Sequence, residues 1–347
     1  MKKQKIIYTV IVCALLALPI ILFPFVKGGS AEKRELSAFP SVVTKDGFNL
    51  NFTKELELWL SEHFPFREQL ISTNNFLKAK LFSSSGEEKV VVGKEGWLFF
   101  SETLSDYTGE RVLTENEALK IKSTLSTMAE RVEQGGGKFV FTVAPNKNTV
   151  YPEFMPDRFL KGEGDTSLDT LEKELSEDLF VDLREALVSD EVLYHKTDSH
   201  WNAYGAYLAY SAIMERLSEK NVFENAEYEW QNTFSGDLEN MLYPTFSKPS
   251  PDAVFDVGTS YEITSNYRSV EDLNITTENK QKEKSVLIIR DSFSNALLPF
   301  FAESFGNVRF TRVYPTSLEE LSGYDIVIFE IAERNIKNIL SISLEEK

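Results

Sequence analysis

The stretch that decides the fold is Leu287-Ile288-Ile289-Arg290-Asp291-Ser292-Phe293-Ser294-Asn295. An apolar run, Ser285 to Ile289, reads as a buried strand. It enters a tight polar turn, and Asn295 to Ser304 then reads as a helix. Strand, polar turn and helix in that order are one unit of a parallel α/β sheet, and such sheets form their sites at the carboxyl ends of strands. Ser292 sits in that turn, beside the first N–H groups of a helix, a position that suits a nucleophile with oxyanion donors. Its plainer role is to cap the next helix.

The same alternation extends outward. Thr114-Glu115-Asn116-Glu117 is a capping box that starts a helix to about Gln134, and Gly135-Gly136-Gly137 ends it. Lys138 to Val143 is a buried-type strand. A helix near Leu168–Ser176 leads to a strand at Leu179–Leu183. Val192-Leu193-Tyr194 is strand-like, and a helix follows from Ala203 to Ser218. Residues 219–284 read as polar and irregular. Val308 to Val313 and Ile326 to Ile331 are further strands, and a last helix starts near Asn335. The expected fold class is a parallel α/β sheet flanked by helices over residues 111–347. Before it, 28–110 is a tether with two short amphipathic helices (Leu56, Trp59, Leu60 and His63 at helical spacing in the first) and a strand pair, Val90–Val92 and Trp97–Phe100.

Residues 1–27 read as a targeting segment. Lys2, Lys3 and Lys5 precede Ile6 to Val26, a run of 21 residues without charge. Such a run is long enough to span a bilayer core, and the exit at Val26–Ala31 is a poor cleavage site. The expectation is a single-pass anchor with the rest of the chain outside. The net charge of −17 disfavours nucleic acid as a partner. Cys13 is the single cysteine, so neither an intrachain disulfide nor a cysteine zinc site can form.

Any imidazole chemistry must draw on His63, His195 and His200. His63 fits a structural place in its helix. Thr197-Asp198-Ser199-His200-Trp201-Asn202 occupies a turn before a helix, and the two-residue spacing can bring the Asp198 carboxylate onto the His200 imidazole. With Ser292 this supplies a nucleophile, a base and a group to orient the base. Three other readings stand beside it: His200 as a core histidine, His195-Asp198-His200 as metal ligands, and Ser260 as a rival nucleophile. Asn146, after the strand Lys138–Val143, is an oxyanion-donor candidate.

At these residues the sequence resembles a known family. Phe64-Pro65-Phe66-Arg67, Gly93-Lys94-Glu95-Gly96-Trp97, Ala144-Pro145-Asn146-Lys147, Thr197-Asp198-Ser199-His200-Trp201, Arg290-Asp291-Ser292-Phe293 and Glu330-x-x-Glu333-Arg334-Asn335 are similar to SGNH-like proteins of the alginate O-acetyltransferase type (AlgJ and AlgX) and to the DHHW proteins of Gram-positive bacteria. The chain order Asp–His–Ser is permuted relative to ordinary SGNH hydrolases, and Arg290 stands where many of them have glycine. The resemblance implies an SGNH-like fold without a cofactor or metal, with Ser292 as nucleophile, His200 as base and Asp198 as its orienter. Arg290 and Trp201 join Asn146 as oxyanion or substrate-binding candidates. It implies O-acetylation of a cell-surface or secreted polysaccharide at a Gram-positive surface, supplied by a multi-pass membrane O-acyltransferase. A carbohydrate acetyl esterase and a non-catalytic scaffold of a glycan-modifying complex remain the alternatives.

Overall fold

The computed structural model describes residues 2–23, 36–45 and 47–344. It divides into two units, residues 1–90 with 237–248, and residues 91–236 with 249–347. The boundary therefore falls at residue 90 rather than 110, and a short later segment joins the first unit.

The first unit holds helix α1 (Lys2–Leu22), a small hairpin β1 (Val43–Thr44) and β2 (Gly47–Phe48), and helices α2 (Phe52–Glu62) and α3 (Arg67–Phe82). Among the described residues no helix is long and apolar enough to cross a membrane. Helix α1 takes in Ile6 to Leu22 of the run expected to form the anchor. The rest of the run expected to form the anchor, from Pro24 to Val26, lies outside the described residues. His63 keeps a structural place, its Nδ1 2.9 Å from the Trp59 carbonyl oxygen and its ring stacked on the Trp59 indole.

The second unit is a three-layer α/β body. Its strands are β3 (Val90–Val92, which begins at the boundary), β4 (Leu98–Phe100), β5 (Lys138–Ala144), β6 (Phe180–Asp182), β7 (Tyr228–Phe234), β8 (Ser250–Phe255), β9 (Glu262–Ile263), β10 (Asn274–Glu278), β11 (Ser285–Ile289), β12 (Asn307–Thr311) and β13 (Ile326–Ala332). Seven of them form one sheet in the order β6-β5-β13-β11-β12-β10-β9. The first five run parallel, while β10 pairs antiparallel with both β12 and β9. The sheet is thus mixed, a correction to the purely parallel reading.

β13 shows why the layers form. Every residue of this strand is buried, and successive side chains face opposite ways. Val327, Phe329 and Ile331 join the core beneath helix Glu115–Gln134. Ile326, Ile328 and Ala332 join the core beneath helix Ala203–Leu217. Each fully buried aliphatic contributes about 1.5–3 kcal/mol, so the strand is held from both sides. Helix Glu115–Gln134 starts at the capping box, with both reciprocal bonds formed.

Three expectations differ in detail. Residues 219–284 contain β7 to β10 rather than irregular chain. β7 has no buried residue along its length, so it carries no core-facing alternation to read. The strand-like Val192–Tyr194 makes a single antiparallel bridge between Tyr194 and Trp201. The last helix is 3₁₀, over Glu333–Ser341.

Candidate active site

The site lies beyond the carboxyl ends of β5, β13 and β11. The chain enters the sheet at β5, places β11 two positions away, and fills the gap with β13. Loops leaving β5 and β11 meet there, as expected where an α/β sheet reverses its strand order.

Ser292 follows β11 by three residues. It has helical dihedrals but makes no side-chain cap bond to the 3₁₀ turn Phe293–Asn295. That turn is braced by Asp291, whose Oδ1 accepts from the Phe293 N–H at 2.9 Å. The Ser292 hydroxyl instead lies 2.8 Å from His200 Nε2, so the plain capping role is not the one observed. His200 Nδ1 lies 2.6 Å from Asp198 Oδ1, which also accepts the His200 backbone N–H at 2.9 Å. With Nδ1 protonated, the imidazole donates to Asp198 and offers Nε2 to the Ser292 hydroxyl. Asp198 is buried, while the His200 side chain keeps 22% exposure. A hydroxyl, a base open to solvent and a buried carboxylate thus form one hydrogen-bonded line.

The turn carrying Asp198 and His200 is closed at its base. The Asn202 N–H donates to the Leu193 carbonyl, and Asn202 Oδ1 caps the next helix by accepting from Gly205 N at 2.8 Å. Gly205 permits this approach, because a Cβ there would stand 2.3 Å from the Leu193 oxygen. From the opposite side, buried Lys147 enters the turn. Its ammonium donates to the carbonyl oxygens of His195 (3.0 Å), Lys196 (3.3 Å) and Asp198 (2.5 Å). The Trp97 and Phe99 rings face the same ammonium at 5.6 and 5.2 Å. Lys147 closes the Ala144–Lys147 motif, yet the sequence alone gave it no role. The available signal was a lysine three residues past the end of a buried strand.

The remaining candidates fall differently. Trp201 is 1% exposed, donates Nε1–H to the Phe293 carbonyl and packs edge-on against the Phe293 ring. It is scaffolding behind His200, which corrects its reading as a substrate contact. Arg290 is also buried, and burial together with nearby Arg312 lowers its pKa to about 10. Its guanidinium donates to Asn295 and to the carbonyls of Val270 and Asp272, so it ties down a loop and is not placed as an oxyanion donor. Asn146 lies two residues past the end of β5 and is buried. Its N–H donates to Glu333, and its Oδ1 has no partner among the described residues. Ser260 is bound through its hydroxyl to Glu303 and Asn279, with no imidazole among these partners. His195 stacks on Phe234, its Nε2 3.9 Å from Asp252. His200 faces Asp198 through Nδ1 and Ser292 through Nε2, so with His195 turned to Phe234 the His195-Asp198-His200 metal reading loses its common focus.

Two buried carboxyls lie beneath the turn. Glu330, on β13, accepts from Ser294 Oγ at 2.6 Å and from the Asp291 N–H at 3.3 Å. Burial, reinforced by the Asp291 carboxylate, pushes its pKa well up. Glu333 accepts from Asn146 N and Thr149 Oγ1. Burial, with Asp106 nearby, raises it from 4.5 to about 7. A carboxyl whose folded pKa is raised favours the fold while neutral. That contribution is complete below about pH 4.5 and is lost as pH rises through 7. Glu333→Gln is therefore expected to match the wild type near pH 4.5 and to exceed its stability by about 2–3 kcal/mol at pH 8. Urea midpoints at the two pH values check this, and parallel profiles for the two proteins would refute it.

A second expectation concerns the ammonium clamp. Lys147→Met keeps the stem and removes all three donors. It should lower kcat for aryl acetate hydrolysis about 100-fold, with KM changed less than about twofold, since small misplacements of a reacting group cost that much. Steady-state kinetics, with thermal unfolding as the folding control, decide. An unchanged kcat would show that the turn holds itself.

A family model described as the SGNH hydrolase-like domain of the acetyltransferase AlgX matches residues 90–303, more than half of the chain. The chain belongs to this family. Two relatives are both named probable alginate O-acetylase AlgJ. The protein from Pseudomonas putida is 27% identical over 221 residues, covering 59% of this chain and 56% of the relative. The protein from Pseudomonas syringae pv. tomato is 26% identical over 251 residues, covering 65% and 60%. The chain therefore spans less than two thirds of the length of the curated relatives it matches. Two solved structures share the fold. A DHHW family protein from Eubacterium siraeum has a TM-score of 0.55 at 18% identity, covering 74% of this chain and 99% of that one. PatB1 from Bacillus cereus has a TM-score of 0.55 at 17% identity, covering 71% and 96%.

Proposed function

We propose that this AlgX-type SGNH-like protein is a membrane-anchored O-acetyltransferase that moves acetyl groups onto hydroxyls of a cell-surface or secreted polysaccharide. The observation that carries the reading is the hydrogen-bonded line from Ser292 through His200 to Asp198. In the first half-reaction Ser292 Oγ attacks the acetyl carbonyl of the donor while His200 Nε2 takes its proton. The tetrahedral oxyanion collapses, the leaving group receives that proton from His200, and the acetyl ester of Ser292 remains. A sugar hydroxyl then attacks the ester, again passing its proton to His200, and Ser292 is released with its proton restored.

The oxyanion needs donors. The Phe293 N–H is already held by Asp291, whereas the Ser292 N–H donates to no other described group. The Ser292 N–H and the Asn146 side-chain amide are the donors in this scheme, and Asp198 keeps the imidazole in the required tautomer. The uncharged run Ile6–Val26 is the anchor, with the basic head inside. No acetyl-CoA pool is expected outside the cell, so a multi-pass membrane O-acyltransferase delivers the acetyl groups. Tethering raises the effective concentration of the two proteins.

One experiment separates the classes. Acetyl content of the surface polysaccharide is measured in a strain lacking the protein and in one carrying Ser292→Ala. A transferase predicts a fall in both strains, and this is the expected result. An esterase predicts a rise in both. A scaffold predicts a fall only when the whole protein is absent.

A further inference from the structure

Helix α3 is built inside out. Its most buried side chains are Ser72 and Asn75, 0% and 2% exposed. Ser72 Oγ accepts from the Thr245 N–H and hydroxyl, and Asn75 Nδ2 donates to the Leu242 carbonyl, all within the first unit. On the opposite line of the helix stand Leu70, Leu77 and Leu81, at 52%, 49% and 68% exposure. Lys78 and Lys80 lie to either side of this line. Each leucine left in water forgoes about 1.5–3 kcal/mol of burial, and a row of exposed leucines along one side of a helix marks a surface that something covers.

Two further observations say what covers it. The Phe23 ring, just past the end of α1, meets Trp59 of α2 edge-on at 5.5 Å, and Trp59 meets Phe39 at 5.0 Å. The apolar N-terminal segment is thus continuous with the unit that carries α3. The charge is also divided. Residues 1–90 hold 12 basic and 9 acidic side chains, whereas residues 91–347 hold 25 and 45. With Lys2, Lys3 and Lys5 on the inner side, the outer part of residues 1–90 holds 9 basic and 9 acidic side chains, so an anionic bilayer surface leaves it free to approach and repels the second.

We propose that α3 lies in the plane of the membrane interface, with the Leu70–Leu77–Leu81 face at the boundary of headgroups and acyl chains and with Lys78 and Lys80 at anionic headgroups. This rests on the anchored reading above. It makes the bilayer itself the partner of the first unit.

The test uses the full chain with Cys13→Ser. A single environment-sensitive fluorophore is placed at Leu81→Cys, or as a control at exposed Glu177→Cys, and the chain is reconstituted in nanodiscs of phosphatidylcholine with phosphatidylglycerol. The expected result is a blue-shifted emission at position 81, quenched several-fold more strongly by a shallow doxyl lipid than emission at 177. Emission at 81 that stays water-like while the chain co-floats with the discs overturns the proposal and leaves the anchor standing. Protection only when the membrane acyltransferase is added also overturns it, since the occupant is then a protein. A chain that does not co-float overturns the anchor and the proposal together. As a second measurement, Leu70→Glu with Leu77→Glu and Leu81→Glu is expected to lower glycan acetylation in cells while aryl acetate hydrolysis is unchanged. Unchanged acetylation with this triple variant would also count against the proposal.

Discussion

Ser292→Ala is expected to lower aryl acetate hydrolysis by roughly 10⁴-fold or more, because nucleophile, base and orienting group act as a unit. The substitution removes one hydroxyl whose partner is His200 Nε2. It touches neither the Asp291 brace to Phe293 nor the Glu330 bond to Ser294, so the turn should persist. The measurement is the initial rate with a chromogenic acetate, using circular dichroism to show an unchanged fold. Equal rates in wild type and variant would remove Ser292 from the chemistry. Ser260 would be a poor replacement, since its hydroxyl is bound to Glu303 and Asn279.

Asp198→Asn should cost about 10³- to 10⁴-fold in kcat, by analogy with other triads in which the carboxylate was made neutral. One oxygen of Asp198 accepts both the His200 Nδ1–H and the His200 backbone N–H. An amide oxygen can still accept these bonds, but it lacks the charge that stabilises an imidazolium. Turned the other way, its NH₂ stabilises the wrong tautomer. Asp198→Ala, which removes orientation as well as charge, should be at least as slow. Activity within tenfold of wild type in Asp198→Asn would show that His200 works without a partner charge.

The site was legible where one local signal fixed the geometry. The Asp-x-His spacing sufficed because an Asp side chain in a turn readily accepts the N–H two residues on, and that bond is present. Ser292 was legible from a strand running into a polar turn. Arg290 and Trp201 misled because proximity in sequence to a reacting residue says nothing about the direction of a side chain. Both point into the protein. Lys147 is decided by contacts across about 50 residues of chain, which no local pattern carries. Likewise β10 was missed because Asn274–Glu278 is polar for a strand. Its pairing with β12 and β9 makes it one.

The order in which the sheet fills has a consequence for biogenesis. β13 leaves the ribosome after every other strand, yet it sits between β5 and β11. It carries Glu330, and next to it lie Glu333, which holds the Asn146 N–H, and Asn335, which with the Ala332 N–H holds Asp291. A nascent chain that already contains Ser292, His200 and Asp198 therefore lacks the strand that sets their loops side by side. Long-range parallel pairing of this kind is also slow to form. Acyl chemistry should begin only once β13 has been inserted between β5 and β11, so a chain without it would not expose an activated serine.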